Sequence, residues 1–300
     1  MISSKTEAIE MLKQPTGWLG AIAVGVMAIN LAVLWKVGDE AHLGMSVLFW
    51  LPVSSMIWER RDQLNLKSDP IGSFIGALLI GFCLFTIVST TAKIAGQRDT
   101  YDPLLRFMPF LSGLGVALIA SGIHKLKQYQ PELTILFCLG IPRVIITDLL
   151  KIDISPITAK VSAFVLWYTG HELALRDRVF IDLPGGSIKV YSGCSGMESM
   201  TYLLGLSVVC LLMFPLERFN QKIHKILITI FAVVTGFLVN VVRVALMAIL
   251  AASSQPEAFD YWHEGDGSLI FGMIAVGVFG LFYMFLLKQD DIQPQDPVES

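Results

Sequence analysis

Apolar residues come in eight long runs, roughly 18–37, 43–58, 71–91, 104–123, 133–149, 196–214, 226–251 and 269–287. A helix needs about 20 mostly apolar residues to cross the hydrocarbon of a bilayer. Each run comes near that length, the second and fifth being the shortest. The pattern predicts an all-α fold, a polytopic membrane bundle of about eight transmembrane helices. The first run follows a polar stretch carrying Lys5 and Lys13. It is too long for the apolar part of a signal peptide and no clear cleavage site follows, so it is expected to stay as a span.

Between the fifth and sixth runs lies the one long segment with a different pattern. Residues 155–169, SPITAKVSAFVLWYT, begin with Ser-Pro and hold a compact apolar stretch. They predict a helix at the membrane surface, with Trp167 and Tyr168 at headgroup level. Residues 178–192 alternate apolar and polar around Pro184-Gly185-Gly186, which is a hairpin signal. Gly193-Cys194-Ser195-Gly196 then leads into the sixth run. Interfacial helix and hairpin together predict a small cap on the outer face.

Orientation follows from Lys and Arg in the short loops. With the N-terminus inside, Arg60, Arg61, Lys67, Lys125, Lys127, Arg218, Lys222, Lys225 and Lys288 fall inside. The outside loops 38–42 and 252–268 hold no Lys or Arg, while the one near 92–106 departs with Lys93, Arg98 and Arg106. Both termini are therefore expected in the cytoplasm, with the cap facing out. The organisation reads as a cytoplasmic N-terminus at 1–17, N-terminal spans over 18–149, a chemically richer region over 150–288, and a disordered acidic tail at 289–300.

Composition agrees with a membrane chain. The 300 residues are 54% hydrophobic and 16% charged, against about 25% charged in soluble domains. A net charge of −3 offers no basic surface, which excludes nucleic acid as a partner. The four cysteines lack CxxC spacing, so zinc and thioredoxin-type sites are excluded. Cys83, Cys138 and Cys210 lie inside apolar runs and read as inert packing residues. Glycines 76, 81, 113, 115 and 122 suit close helix packing.

Three polar residues stand in apolar surroundings. Cys194 precedes the sixth run, where unpaired amides and the helix dipole favour the nucleophilic thiolate. It also reads as a buried structural cysteine. Arg243 interrupts FLVNVVRVALMAIL. An arginine inside a span costs about 2.5–3.5 kcal/mol on insertion scales, so it must find partners, a polar cavity or the headgroups. His263 sits in YWHEGDG before the last run, on the same expected side as Cys194. A thiol with a distant histidine has the form of a nucleophile and its acid/base. With Arg243 stabilising an oxyanion, the three would perform acyl transfer through a thioester. Supporting candidates are Ser195, which also suits a helix cap, and Glu198, a turn after Cys194 and able to pair with Arg243. Asn240 shares a face with Arg243, and Glu264 and Asp266 could orient His263.

Cys194-Ser195-Gly196, Asn240-Val241-Val242-Arg243 and Trp262-His263-Glu264-Gly265 together resemble the exosortase and archaeosortase family, in order and in spacing, over about residues 150–285. The closing histidine is that of the bacterial branch, and the style is similar to cyanobacterial exosortases. The resemblance implies a membrane-embedded cysteine transpeptidase or protease in the plasma (inner) membrane, its site outward, with no metal or organic cofactor. It implies Cys194 as nucleophile, Arg243 as transition-state stabiliser and His263 as acid/base. Partners would be exported proteins with a C-terminal Pro-Glu-Pro motif, one span and a basic cluster, met among membrane lipid. Rival readings are a transporter using Arg243 for an anion, and a non-catalytic factor in surface-polysaccharide assembly.

Overall fold

The computed structural model describes residues 15–94, 103–219, 221–263 and 266–291. Lys5, Lys13, Arg98, Glu264 and the tail beyond residue 291 lie outside them. Eight helices occupy the eight apolar runs: α1 (Pro15–Val37), α2 (Glu40–Arg60), α3 (Pro70–Ile94), α4 (Pro103–Ser121), α5 (Gln130–Val144), α7 (Met197–Met213), α8 (Lys222–Ala252) and α10 (Asp266–Asp291). The intervening α6 (Ser155–Tyr168) is the helix expected over 155–169. Six of these, α1 to α4, α8 and α10, are long and apolar enough to cross a membrane unaided. Helix α7 has 17 residues and α5 has 15. The fifth run stops short because Pro142 removes a hydrogen bond from the last turn of α5. The chain then continues as a π-turn over Ile145–Leu149.

The chain divides into two compact units, Met1–Val144 and Ile145–Ser300. In the first, α3 packs closely on α4 where glycines meet. A Cβ on Gly76 would stand 2.5 Å from the carbonyl of Gly115, and one on Gly113 the same distance from Leu136. Gly81 has nothing within 4 Å, so the packing role expected for it does not hold. Arg106 is not the loop charge that the sequence suggested. It is buried on α4, with Nη2 2.9 Å from Asp39 and Nη1 3.3 Å from His42 Nδ1. One of the three charges that weakened the outside-loop pattern therefore belongs to the interior. At another turn Asp69 accepts from the amides of Gly72 (2.7 Å) and Ile123 (2.9 Å). These bonds, Gly72 first, hold its carboxyl below the ordinary 3.8.

The second unit is built around α8. At about 1.5 Å per residue, its 31 residues run about 46 Å, beyond the ~30 Å of a bilayer core. Helices α6, α7 and α10 pack on its sides. The hairpin closes over its C-terminal end. Strands β2 (Phe180–Leu183) and β3 (Gly186–Lys189) are joined by Pro184-Gly185, with Gly185 at φ +102°. Proline presets the first turn position and glycine supplies the positive φ of the second. A Cβ on Gly185 or Gly186 would reach 2.5 Å from the carbonyl of Ala252 or Ala251. The turn therefore seats directly on the helix end.

In the second unit a strand and a helix were not expected. Strand β1 (Ala174–Arg176) pairs antiparallel with β2 and makes the hairpin a three-stranded sheet. The segment read as a loop over 252–268 contains helix α9, Pro256–His263. Pro256 at its first position and Glu257 in its first turn favour a helix start.

The sheet edge carries a pH-sensitive pair. Arg176 donates to Asp182 through Nε (3.1 Å) and Nη2 (3.3 Å), and Ser187 adds a further bond. These contacts, Arg176 first, hold the Asp182 carboxyl below its ordinary 3.8. A depressed carboxyl stabilises the fold above its unfolded value, and that contribution is lost as pH falls through the folded one. Protection of the β2 and β3 amides, corrected for the intrinsic exchange rate, is expected to fall as pH drops below the ordinary 3.8. Arg176→Gln should largely remove that dependence, as read by hydrogen-exchange mass spectrometry.

Candidate active site

The chain leaves β3 at Lys189 and enters α7 at Met197 through one turn of 3₁₀ helix, Ser192–Cys194. The amide of Cys194 donates to Tyr191 O (2.9 Å) and that of Ser195 to Ser192 O (3.3 Å). Gly196 follows at φ +87°. That is left-handed backbone, where glycine carries no Cβ penalty. A Cβ there would stand 2.7 Å from Asn240 Nδ2. Glycine thus lets Asn240 close in and donate from Nδ2 to the carbonyl of Cys194, at 2.9 Å. Thr158 on α6 donates to the next carbonyl, Ser195 O, at 2.7 Å. Side chains from two helices therefore hold two successive carbonyls of the cysteine turn.

Cys194 is 5% exposed and packs with Val190, Val244, Ala248 and Leu166. Its Sγ stands 3.4 Å from His263 Nε2. Sixty-nine residues of sequence separate the pair. His263 ends α9, its ring stacked on Phe259 one turn earlier, with centroids 5.2 Å apart. Arg243 lies beneath, about 13 Å from the end of α8. It donates through Nη2 to the carbonyl of His263 (2.6 Å) and through Nε to that of Trp262 (3.4 Å). Hydrogen bonds from a charged donor contribute about 1.5–3 kcal/mol each. Together they offset most of the insertion cost of the guanidinium. The three principal candidates thus come together, Cys194 and His263 by side chain, Arg243 through the backbone of His263.

The supporting candidates divide. Asn240 and Ser195 act on the cysteine turn itself, Ser195 Oγ donating to Ser192 O (2.7 Å) and accepting from the amide of Met197 (3.4 Å). Glu198 accepts from the hydroxyl of Tyr202 (2.8 Å), whereas the bonds of Arg243 run to α9. Two contributors were absent from the sequence reading. Thr158 sits in α6, where a threonine carries no distinguishing signal. Tyr191 places its hydroxyl 3.2 Å from His263 Nε2. Among the described residues no group of three or more His, Cys, Asp or Glu could hold a metal ion.

A family model described as transmembrane exosortase matches residues 35–280. The chain belongs to the transmembrane exosortase family. The match extends well into the N-terminal spans, beyond the three motifs that carried the resemblance. Family and apolar helices together make it a multi-pass membrane protein, all-α apart from the small sheet. A "Probable archaeosortase E" from Methanocaldococcus jannaschii is 30% identical over 102 residues, 34% of this chain and 50% of that protein. The chain thus spans about half the length of that curated relative. No solved structure matches.

Proposed function

We propose that this protein is a membrane-embedded cysteine transpeptidase or protease that processes C-terminal sorting signals of exported proteins. The observation that carries the reading is the 3.4 Å approach of Cys194 Sγ to His263 Nε2, in a chain of the exosortase family. Its substrates would carry a Pro-Glu-Pro motif followed by a span and a basic cluster. The substrate span would lie beside α7, α8 and α10, bringing the motif to an outward-facing site in the plasma membrane.

The steps follow from the atoms present. Cys194 gives its proton to Nε2 of His263, and the thiolate attacks the scissile carbonyl. The C–N bond breaks as Nε2–H protonates the leaving amine, leaving a thioester on Cys194. An acceptor then loses its proton to Nε2 and attacks the thioester. The C–S bond breaks and the sulfur recovers the proton. The amides of Cys194 and Ser195 already bond within the 3₁₀ turn. Oxyanion stabilisation therefore falls to a side chain, and Arg243 has N–H donors beyond those held by α9.

The test is processing of a tagged reporter with a Pro-Glu-Pro tail, co-expressed with wild type, Cys194→Ala or Cys194→Ser at matched membrane levels. Both variants are expected to insert normally and to lose processing. A transporter using Arg243 for an anion would tolerate the serine. Equal processing by wild type and Cys194→Ala would remove the thiol mechanism.

A further inference from the structure

Among the described residues, Cys194 Sγ stands 3.4 Å and the Tyr191 hydroxyl 3.2 Å from Nε2 of His263. The geometry follows from the turn. A 3₁₀ helix has three residues per turn, so positions i and i+3 eclipse. Tyr191 and Cys194 are i and i+3 across the turn Ser192–Cys194, and both face the same imidazole. Gly193 between them makes this possible. A Cβ there would stand 2.6 Å from Tyr191 Cε2, so the phenol ring lies against the backbone of the turn. The ring meets the imidazole edge-on, with centroids 6.1 Å apart. Exposure differs sharply. Tyr191 is 46% exposed and Cys194 5%. Of the two groups beside the imidazole, the phenol is the solvent-exposed one and the thiol the buried one.

A neutral imidazole nitrogen either carries one proton or offers one lone pair. Hydroxyl and thiol therefore compete for Nε2. Building on the roles given above to Cys194 and His263, we propose that Tyr191 is a positioning residue. Its hydroxyl donates to Nε2 whenever Nε2 is not holding the transferred proton, and so keeps His263 in register through the thioester stage. In the resting enzyme the hydroxyl stabilises neutral imidazole and restrains thiolate formation. When Cys194 attacks, Nε2 exchanges the hydroxyl for the thiol proton and passes it to the leaving amine. In the thioester the sulfur is acylated, and Nε2 returns to the Tyr191 hydroxyl. The acceptor then gives its proton to Nε2 as its bond to the acyl carbon forms. The C–S bond breaks, and the proton returns to sulfur.

Tyr191→Phe keeps the ring on Gly193 and its edge on His263, and deletes only the hydroxyl. The experiment measures iodoacetamide alkylation of Cys194 in the purified full chain, with Cys194→Ala as background for the other thiols. Wild type, Tyr191→Phe, His263→Ala and the double variant are compared. Tyr191→Phe is expected to alkylate about three- to tenfold faster, the worth of one neutral hydrogen bond. In the His263→Ala background the same change is expected to have no effect, because the hydroxyl acts through the imidazole. Equal rates for Tyr191→Phe and wild type would overturn the proposal, and so would equal acceleration in both backgrounds. Alkylation needs no substrate, so this outcome is independent of whether the reporter is processed. With the reporter, Tyr191→Phe should slow turnover while the fraction of Cys194 held as thioester rises. Slower turnover without that accumulation would also overturn it.

Discussion

Replacing His263 with alanine is expected to lower reporter processing by about 10²–10⁴-fold, the usual range for a positioned acid/base. Membrane level and melting temperature should barely change. Arg243 bonds the carbonyl of His263, not its ring, at 2.6 Å. Alanine keeps that carbonyl, so the tether between α8 and the end of α9 survives. What is lost is the nitrogen 3.4 Å from Cys194 Sγ, together with the ring stacked on Phe259. Arg243→Gln acts the other way. It removes the tether and leaves the imidazole chemically intact but free to drift. Arg243→Gln also removes the proposed oxyanion donor, so both variants should lose processing, while thermal unfolding is lowered by Arg243→Gln and not by His263→Ala. Processing by His263→Ala at the wild-type rate would remove the histidine from the reaction.

Gly196→Ala is the second large effect. Left-handed backbone costs an alanine about 1–2 kcal/mol, and Gly196 sits at φ +87°. The new methyl would also meet Asn240, whose Nδ2 holds the carbonyl of Cys194 at 2.9 Å. Displacing that amide moves the nucleophile itself. A shift of about 1 Å at a reacting group can cost about 10²-fold in rate. We therefore expect a lower melting temperature and a loss of processing of about that size. Gly81→Ala is the control. It is a helical glycine with nothing within 4 Å, and alanine there should be neutral or slightly stabilising. Equal behaviour of the two variants would show that the turn does not depend on Gly196.

These two variants mark what the sequence made legible. The helices could be read because a span must satisfy its own backbone and be apolar for about 20 residues. The hairpin could be read because Pro184-Gly185 has the chemistry its turn requires. Strand β1 could not, since Ala174–Arg176 is three exposed residues without alternation. Helix α9 left a proline and an acid at its start, but eight residues with mixed aromatic and acidic side chains look like a loop. The principal site residues were picked out by chemistry alone, as a cysteine, an arginine and a histidine out of place among apolar neighbours. Their meeting is a tertiary fact. Sixty-nine residues separate Cys194 from His263, and no local periodicity records the fold-back of α9. Tyr191 was hidden for another reason. Its link to Cys194 depends on the 3₁₀ turn, and i, i+3 neighbours mean little until the turn is known.

The proposed reaction requires that Cys194 carry the acyl group. The most direct measurement is peptide mapping of the purified enzyme, acid-quenched during turnover of the Pro-Glu-Pro reporter. The upstream fragment of the reporter is expected on the Cys194 peptide, as a thioester released by hydroxylamine. Processed reporter forming while Cys194 stays unmodified and fully alkylatable throughout would contradict it.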